Sequence, residues 1–188
     1  PTSLDPVPLS AVEAARGRIS GVAARTPLLR LHTTPDAAGP EIWLKAECLQ
    51  PIGSFKIRGA ANALAMAAPE RLIGGVYTAS AGNMAQGVAW AARRMGVSCR
   101  VIVPDSAPRT KLEAVERLGG VVVPVPWSEW WDVLRLHGHP DESGFFIHPV
   151  SDPAVIAGNG TTGLEILEDL PDVDTIIVDD TGVGGGVT

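Results

Sequence analysis

The 188-residue chain has only two cysteines, no run of basic residues, and no apolar stretch of the roughly 18 residues that a bilayer span requires. Cys48 and Cys99 stand apart, without a C-x-x-C pair or a Cys/His cluster, and so read as small buried hydrophobes rather than a disulfide or metal ligands. His32, His137, His139 and His148 show no metal-ligand spacing, and no metal site is expected. A formal net charge of −6 with no basic patch argues against a nucleic-acid or anionic-membrane surface. The first residues, Pro1-Thr2-Ser3-Leu4-Asp5, lack the basic and apolar regions of a signal peptide, so the cytoplasm is the expected compartment and a small metabolite the expected partner. There is no internal repeat and no low-complexity linker.

What is present is 45% hydrophobic residues in short β-rich runs that alternate with segments of helical period. Ser10 to Glu13 has the pattern of a capping box opening a first helix. Strands are expected at residues 41–48, 76–78, 100–103, 121–125, 144–147 and 175–178, the last as a buried closing strand. Helices are expected at 54–67, 84–95, 108–118, 128–136 and from the Asp152-Pro153 cap to 168. Such alternation implies an α/β fold with a parallel sheet covered on both faces. Ligands in these sheets bind at the carboxyl ends of strands, which selects residues 50–56, 80–84 and 181–186.

Within the first of these segments, Lys56 opens a helix among Phe55, Ile57, Ala60, Ala63 and Leu64, where burial and the helix's positive end both favour a neutral, nucleophilic amine. Ser80-Ala81-Gly82-Asn83, at a strand-to-helix junction, offers a hydroxyl, an amide and free backbone N–H groups to a carboxylate; it also reads as a plain helix start capped by Asn83. The loop Gly182-Val183-Gly184-Gly185-Gly186 can present a nest of amides to a phosphate, or serve only as a turn. It is neither a dinucleotide fingerprint nor a P-loop. Asp179 and Asp180 would repel a phosphate unless they face away. Trp127, Trp130 and Trp131 offer a ligand platform, but read rather as an amphipathic helix packing two indoles into the core or onto another subunit. A Ser54/Lys56 hydrolase pair is disfavoured, because residues two apart on a helix face different directions.

The run from Lys45 to Ala60, with Gly53-Ser54-Phe55-Lys56-Ile57-Arg58-Gly59 at its centre, resembles the cofactor-lysine signature of the serine/threonine dehydratases. These are pyridoxal-phosphate enzymes of fold type II, with two three-layer lobes like those of the tryptophan synthase β-subunit. The run Thr78 to Ala89 resembles the same family's substrate-carboxylate loop. Further likeness lies in Val103-Pro104, in Ala107-Pro108-Arg109-Thr110-Lys111, in His148-Pro149 and in Val155 to Thr161. The resemblance covers residues 25–178.

It implies conversion of a β-hydroxy amino acid of the L-threonine or L-serine type to a 2-oxo acid and ammonia. Lys56 would hold pyridoxal phosphate and act as the α-proton base, Phe55 would flank the cofactor ring, and Asn83 would bond its 3-oxygen. Gly182, Gly184, Gly185 and Gly186 would cradle the phosphate, and Ser80, Ala81, Gly82, Asn83 and Met84 would form the substrate loop. Related outcomes are a 3-hydroxyaspartate-type lyase, a serine racemase, or a remnant of the fold without turnover. Ala81 replaces a serine that racemases use to protonate the opposite face, which favours elimination, and Met84 replaces the family's usual histidine. Ile57 after Lys56, in place of aspartate, disfavours the cysteine-synthase and threonine-synthase branches. The resemblance further implies a large lobe built from residues 1–75 and 151–188, incomplete in this chain, a small inserted lobe at 76–150, and a homodimer.

Overall fold

A computed structural model describes residues 6–31 and 39–178. From Val76 onward its elements alternate as the sequence predicts, while a strand at Leu28–Leu31 and a short helix at Pro69–Leu72 are unexpected. The first expected strand pairs antiparallel with Leu28–Leu31 instead of joining the parallel sheet. Helix α1 (Leu9–Arg18) precedes an antiparallel ribbon of β1 (Leu28–Leu31) and β2 (Ile42–Lys45), then α2 (Lys56–Met66), the short α3 (Pro69–Leu72) and β3 (Val76–Ala79). The chain continues through α4 (Asn83–Met95), β4 (Cys99–Pro104), α5 (Arg109–Arg117), β5 (Gly120–Val125), α6 (Trp127–Leu136), β6 (Phe145–Phe146) and α7 (Pro153–Asp169). Strands β5, β4, β3 and β6 lie side by side in that order as a parallel sheet.

Strand period decides which face each residue covers. Val76, Cys99, Val101 and Val103 point toward α2 and α4 and share a core with Ala60, Leu64, Val88 and Ala92. Their neighbours Tyr77, Ala79 and Ile102 point the other way, onto Trp130 and Val133 of α6. Both faces of the sheet are therefore covered, as parallel strands with continuous apolar runs require.

Helices α2 and α7 pack through glycines. A Cβ on Gly158 would collide with the Arg58 carbonyl and come within 2.7 Å of the Gly59 Cα, and one on Gly59 would meet the Val155 carbonyl at 2.7 Å. Only residues without a side chain allow this approach. On the other side of α2, Gly87 of α4 lies where a Cβ would be 3.2 Å from the Lys56 carbonyl. Two small contacts thus fix the start of α2 between α4 and α7.

Several expectations are corrected. Helix α1 begins at Leu9 with Pro8 at its N-cap and no side-chain cap, so Ser10 already lies inside the helix and the predicted capping box does not form. The strand expected over 41–48 stops at Lys45, because Ala46 leaves the extended region and Glu47–Leu49 forms a tight 3-10 turn. Cys48 on that turn is exposed, whereas Cys99 is buried and its thiol is pushed up to about 12 by desolvation. Of the three tryptophans of α6, Trp130 alone packs inward; Trp127 and Trp131 are exposed. Residues 175–178 form neither a strand nor a buried segment: Ile177 is 90% exposed, and among the described residues no strand lies beside it to pair with or cover it. No helix among the described residues is long and apolar enough to cross a membrane.

Candidate active site

The segment before α2 is a turn whose residue types fit their positions. The Gly53 N–H donates to the Gln50 carbonyl at 2.7 Å, Pro51 supplies the fixed φ of the first central position, and Gly53 takes φ +71°. The turn delivers Ser54, Phe55 and Lys56 to the first turn of the helix. Ser54 Oγ accepts from the Lys56 N–H at 3.3 Å. Lys56 is 4% exposed, and its Nζ lies 5.0 Å from the centroid of the Phe55 ring. Both side chains line a cavity of about 700 Å³, together with Lys45 and Glu47 from the ribbon side, Asn159, Gly160 and Thr162 of α7, and residues 176–178. Thr162 Oγ1 is buried there without a hydrogen-bond partner.

The loop after β3 bounds a second cavity of about 270 Å³, lined by Ser80, Ala81 and Gly82. Ser80 is buried, and its Oγ accepts from the Gly82 N–H at 3.2 Å, closing a small turn that sets the backbone amides at the start of α4. Gly82 occupies the N-cap and Asn83 is the first helical residue, which corrects the plain reading of Asn83 as a cap. Met84 joins the apolar core and lines neither cavity. The two cavities share a boundary at Pro149 and Val150. Gly182, Gly184, Gly185 and Gly186, like Asp179 and Asp180, lie outside the described residues.

Around Arg58, on the same helix as Lys56, and with Lys45 and Glu47 in the same cavity lining, lies a buried charge cluster that sequence reasoning missed. Arg58, 1% exposed, donates to Glu47 at 2.7 and 2.8 Å and to Glu165 at 2.7 and 3.0 Å, and it also reaches Thr161 Oγ1 and the Ala24 carbonyl. Lys45 completes the set with Glu165 at 2.6 Å and the Thr26 carbonyl at 2.6 Å. Burial alone would lower the Arg58 pKa, but the two carboxylates outweigh it and hold the guanidinium firmly charged. Burial would likewise raise Glu165, and the bonds from Arg58 and Lys45 reverse that, keeping its carboxyl below the usual range. Two cations and two anions leave the cluster neutral. The signal in the sequence was four charges within segments otherwise expected to be buried: Lys45 and Glu47, Arg58 beside Ile57 and Gly59, and Glu165 within α7.

The residues present suit a cofactor that carries an aldehyde and polar ring substituents. They supply a buried amine, an adjacent aromatic face, an unpartnered hydroxyl, and room for a ring. Among the described residues no group of three or more His, Cys, Asp or Glu is disposed to hold a metal.

Comparison with known proteins agrees. Residues 19–188 match the family model described as pyridoxal-phosphate dependent enzyme. An L-threonine ammonia-lyase of Thermotoga maritima is 42% identical over 184 residues, 96% of this chain and 44% of that protein. Among solved structures, serine racemase from Dictyostelium discoideum superposes with a TM-score of 0.79 at 36% identity, covering 89% of this chain and 55% of that one. The processed form of threonine deaminase isoform 2 from Solanum lycopersicum gives 0.77 at 37% identity, covering 88% and 45%. The chain spans about half the length of the relatives it matches.

Proposed function

This chain belongs to the pyridoxal-phosphate-dependent enzyme family, and on that premise we propose that it carries the lysine half of an ammonia-lyase site acting on β-hydroxy amino acids of the L-threonine or L-serine type. The β-hydroxyl leaves as water with loss of the α-proton, and hydrolysis of the resulting enamine takes up one water and releases ammonia, so the net products are a 2-oxo acid and ammonia. The observation that carries the reading is the placement of Lys56: a buried amine at the first residue of α2, on the wall of a ring-sized cavity that shares Pro149 and Val150 with the Ser80–Gly82 loop.

Bound pyridoxal phosphate supplies the electron sink for the bond electrons released at the substrate's α-carbon. The protein's own residues do the remainder. Lys56 would hold the cofactor through Nζ, and with substrate bound the same atom would take the α-proton. Phe55 would flank its ring, Asn83 would hydrogen-bond its 3-oxygen, and Gly182, Gly184, Gly185 and Gly186 would receive its phosphate. The backbone amides of residues 80–83, with the positive end of α4 behind them, hold the substrate carboxylate. Ala81 has no proton to deliver to the opposite face of the α-carbon, so the site favours elimination over racemisation. Residues 76–150, which carry the parallel sheet, form the smaller lobe beside a larger one that includes α2 and α7, in a cytoplasmic homo-oligomer.

The purified protein is expected to show the absorbance band of a lysine-bound cofactor and to release ammonia and a 2-oxo acid from threonine. Lys56→Ala is expected to lose the band and at least about a thousandfold of kcat. Retention of that band in Lys56→Ala, or no ammonia release by the cofactor-loaded protein from any β-hydroxy amino acid, overturns the reading.

A further inference from the structure

The smaller cavity is larger than a threonine methyl group needs. It measures about 270 Å³ and opens beside Ser80 and Gly82, whereas an apolar cavity of about 150 Å³ suffices to hold a benzene ring. Its walls are mostly apolar: Trp127 and Trp130 of α6, their rings 5.0 Å apart, with Leu134 one turn on and Pro104 from the end of β4, while Ser80 and Ser106 add hydroxyls. Lys111 stands at the rim and is exposed, so a charge lies near the mouth and none on the walls. Trp130 is fixed from behind by Tyr77, Ile102 and Val133, which makes this side of the cavity a rigid surface.

Resting on the lyase reading above, we propose that this cavity receives the β-substituent of the substrate, and that the favoured substrates are β-hydroxy amino acids with a bulky apolar or aromatic β-group, such as 3-phenylserine. A substrate held by its carboxylate at the Ser80–Gly82 loop, with its amino group toward Lys56, lies across the shared boundary at Pro149 and Val150. The third substituent of its α-carbon then has the indole-lined cavity as its apolar neighbour. A methyl group leaves most of that space unfilled, while a phenyl ring takes apolar surface out of water against two indoles. The same wall disfavours a second carboxylate, whose lost hydration is replaced only in part by the Lys111 ammonium, the Ser106 hydroxyl and the unpartnered indole N–H of Trp130.

The test is kcat/KM of the cofactor-loaded protein for L-serine, L-threonine, 3-phenylserine and 3-hydroxyaspartate, followed by the same series for Ala107→Trp, which fills the cavity, and Trp127→Ala, which removes an exposed wall. The expected result is a preference of about tenfold or more for 3-phenylserine over threonine. The ratio of the two is expected to fall by about tenfold or more in Ala107→Trp and to decline in Trp127→Ala. Turnover of threonine with no gain for 3-phenylserine, a ratio that neither variant moves, or a preference for 3-hydroxyaspartate overturns this proposal and leaves the lyase reading standing. Absence of turnover with all four substrates instead removes the lyase reading on which it rests.

Discussion

The sheet around β4 and the seam between α2 and α7 are both closed to solvent, yet opposite chemistry holds them. Val101, Ile102 and Val103 are buried completely among aliphatic and aromatic neighbours. In the seam, Arg58, Asn62, Thr161 and Glu165 are buried to the same degree but pair with one another or with backbone. Apolar packing is non-directional, so its loss is graded with the volume removed. A buried charge cluster has no such gradation. Its desolvation is offset only while each partner is present, and removing one leaves the others stranded. Arg58 shares the first turn of α2 with Lys56, and Lys45 and Glu47 line the same cavity, so the less forgiving of the two regions is the one that bears on the lysine proposed as cofactor anchor.

The sharpest test of that contrast is Arg58→Met. It leaves Glu47 and Glu165 facing one remaining cation, Lys45, and is expected to cost about 3–5 kcal/mol, read from the urea midpoint. Arg58→Met combined with Glu47→Gln and Glu165→Gln is expected to recover part of the loss, because the stranded charges are gone. If the single variant costs less than about 1 kcal/mol, the seam behaves like an ordinary core and the contrast fails.

The matching test on the sheet is a pair of truncations at one site. Ile102→Val is expected to cost about 0.5–1.5 kcal/mol and Ile102→Ala about 2–5 kcal/mol, rising with the cavity left against Tyr77, Val125 and Trp130. A loss in the valine variant as large as in the alanine variant would mean that this layer is also all-or-none.

The same contrast explains what the sequence disclosed. Apolar periodicity gave the order of elements and the covered parallel sheet, because strand alternation and helix period are local patterns. The turn before Lys56 was legible because Pro51 and Gly53 are demanded by backbone geometry at their own positions. The charge cluster was not, since Arg58 meets Glu165 only after 107 residues of chain have folded. Residues 175–178 have a strand's composition, but composition does not supply the neighbouring strand that makes one. Nor could spacing show that Trp130 faces the sheet while Trp127 and Trp131 face solvent, because the three rings differ only in their angle around α6. Cys48 was misjudged for the related reason that the 3-10 turn places it outward.

The smallest expected effect concerns the connection from β6 to α7, which joins the two regions. The His148 ring stacks on His137 at 4.5 Å and meets Phe146 edge-on. Its Nδ1 accepts from the Val150 and Ser151 N–H groups, and its Nε2 faces the Leu134 carbonyl, an arrangement that suits the neutral imidazole. Burial and the neighbouring His137 lower its pKa, only partly opposed by the Leu134 carbonyl and Asp152. A folded-state value below the unfolded one means that the unfolded chain binds the proton more readily. Stability from this group is therefore fully present above about pH 6.5 and declines as the pH falls from there through the lowered folded value. His148→Asn keeps an acceptor for the two N–H groups and cannot titrate, so the decline in urea midpoint between pH 7.5 and pH 5.5 should be smaller in the variant than in the wild type. An equal decline in both would remove His148 as its source, and the carboxylates of the seam would not account for it either, since their own loss belongs at lower pH because Glu165 is held below the usual carboxylate range.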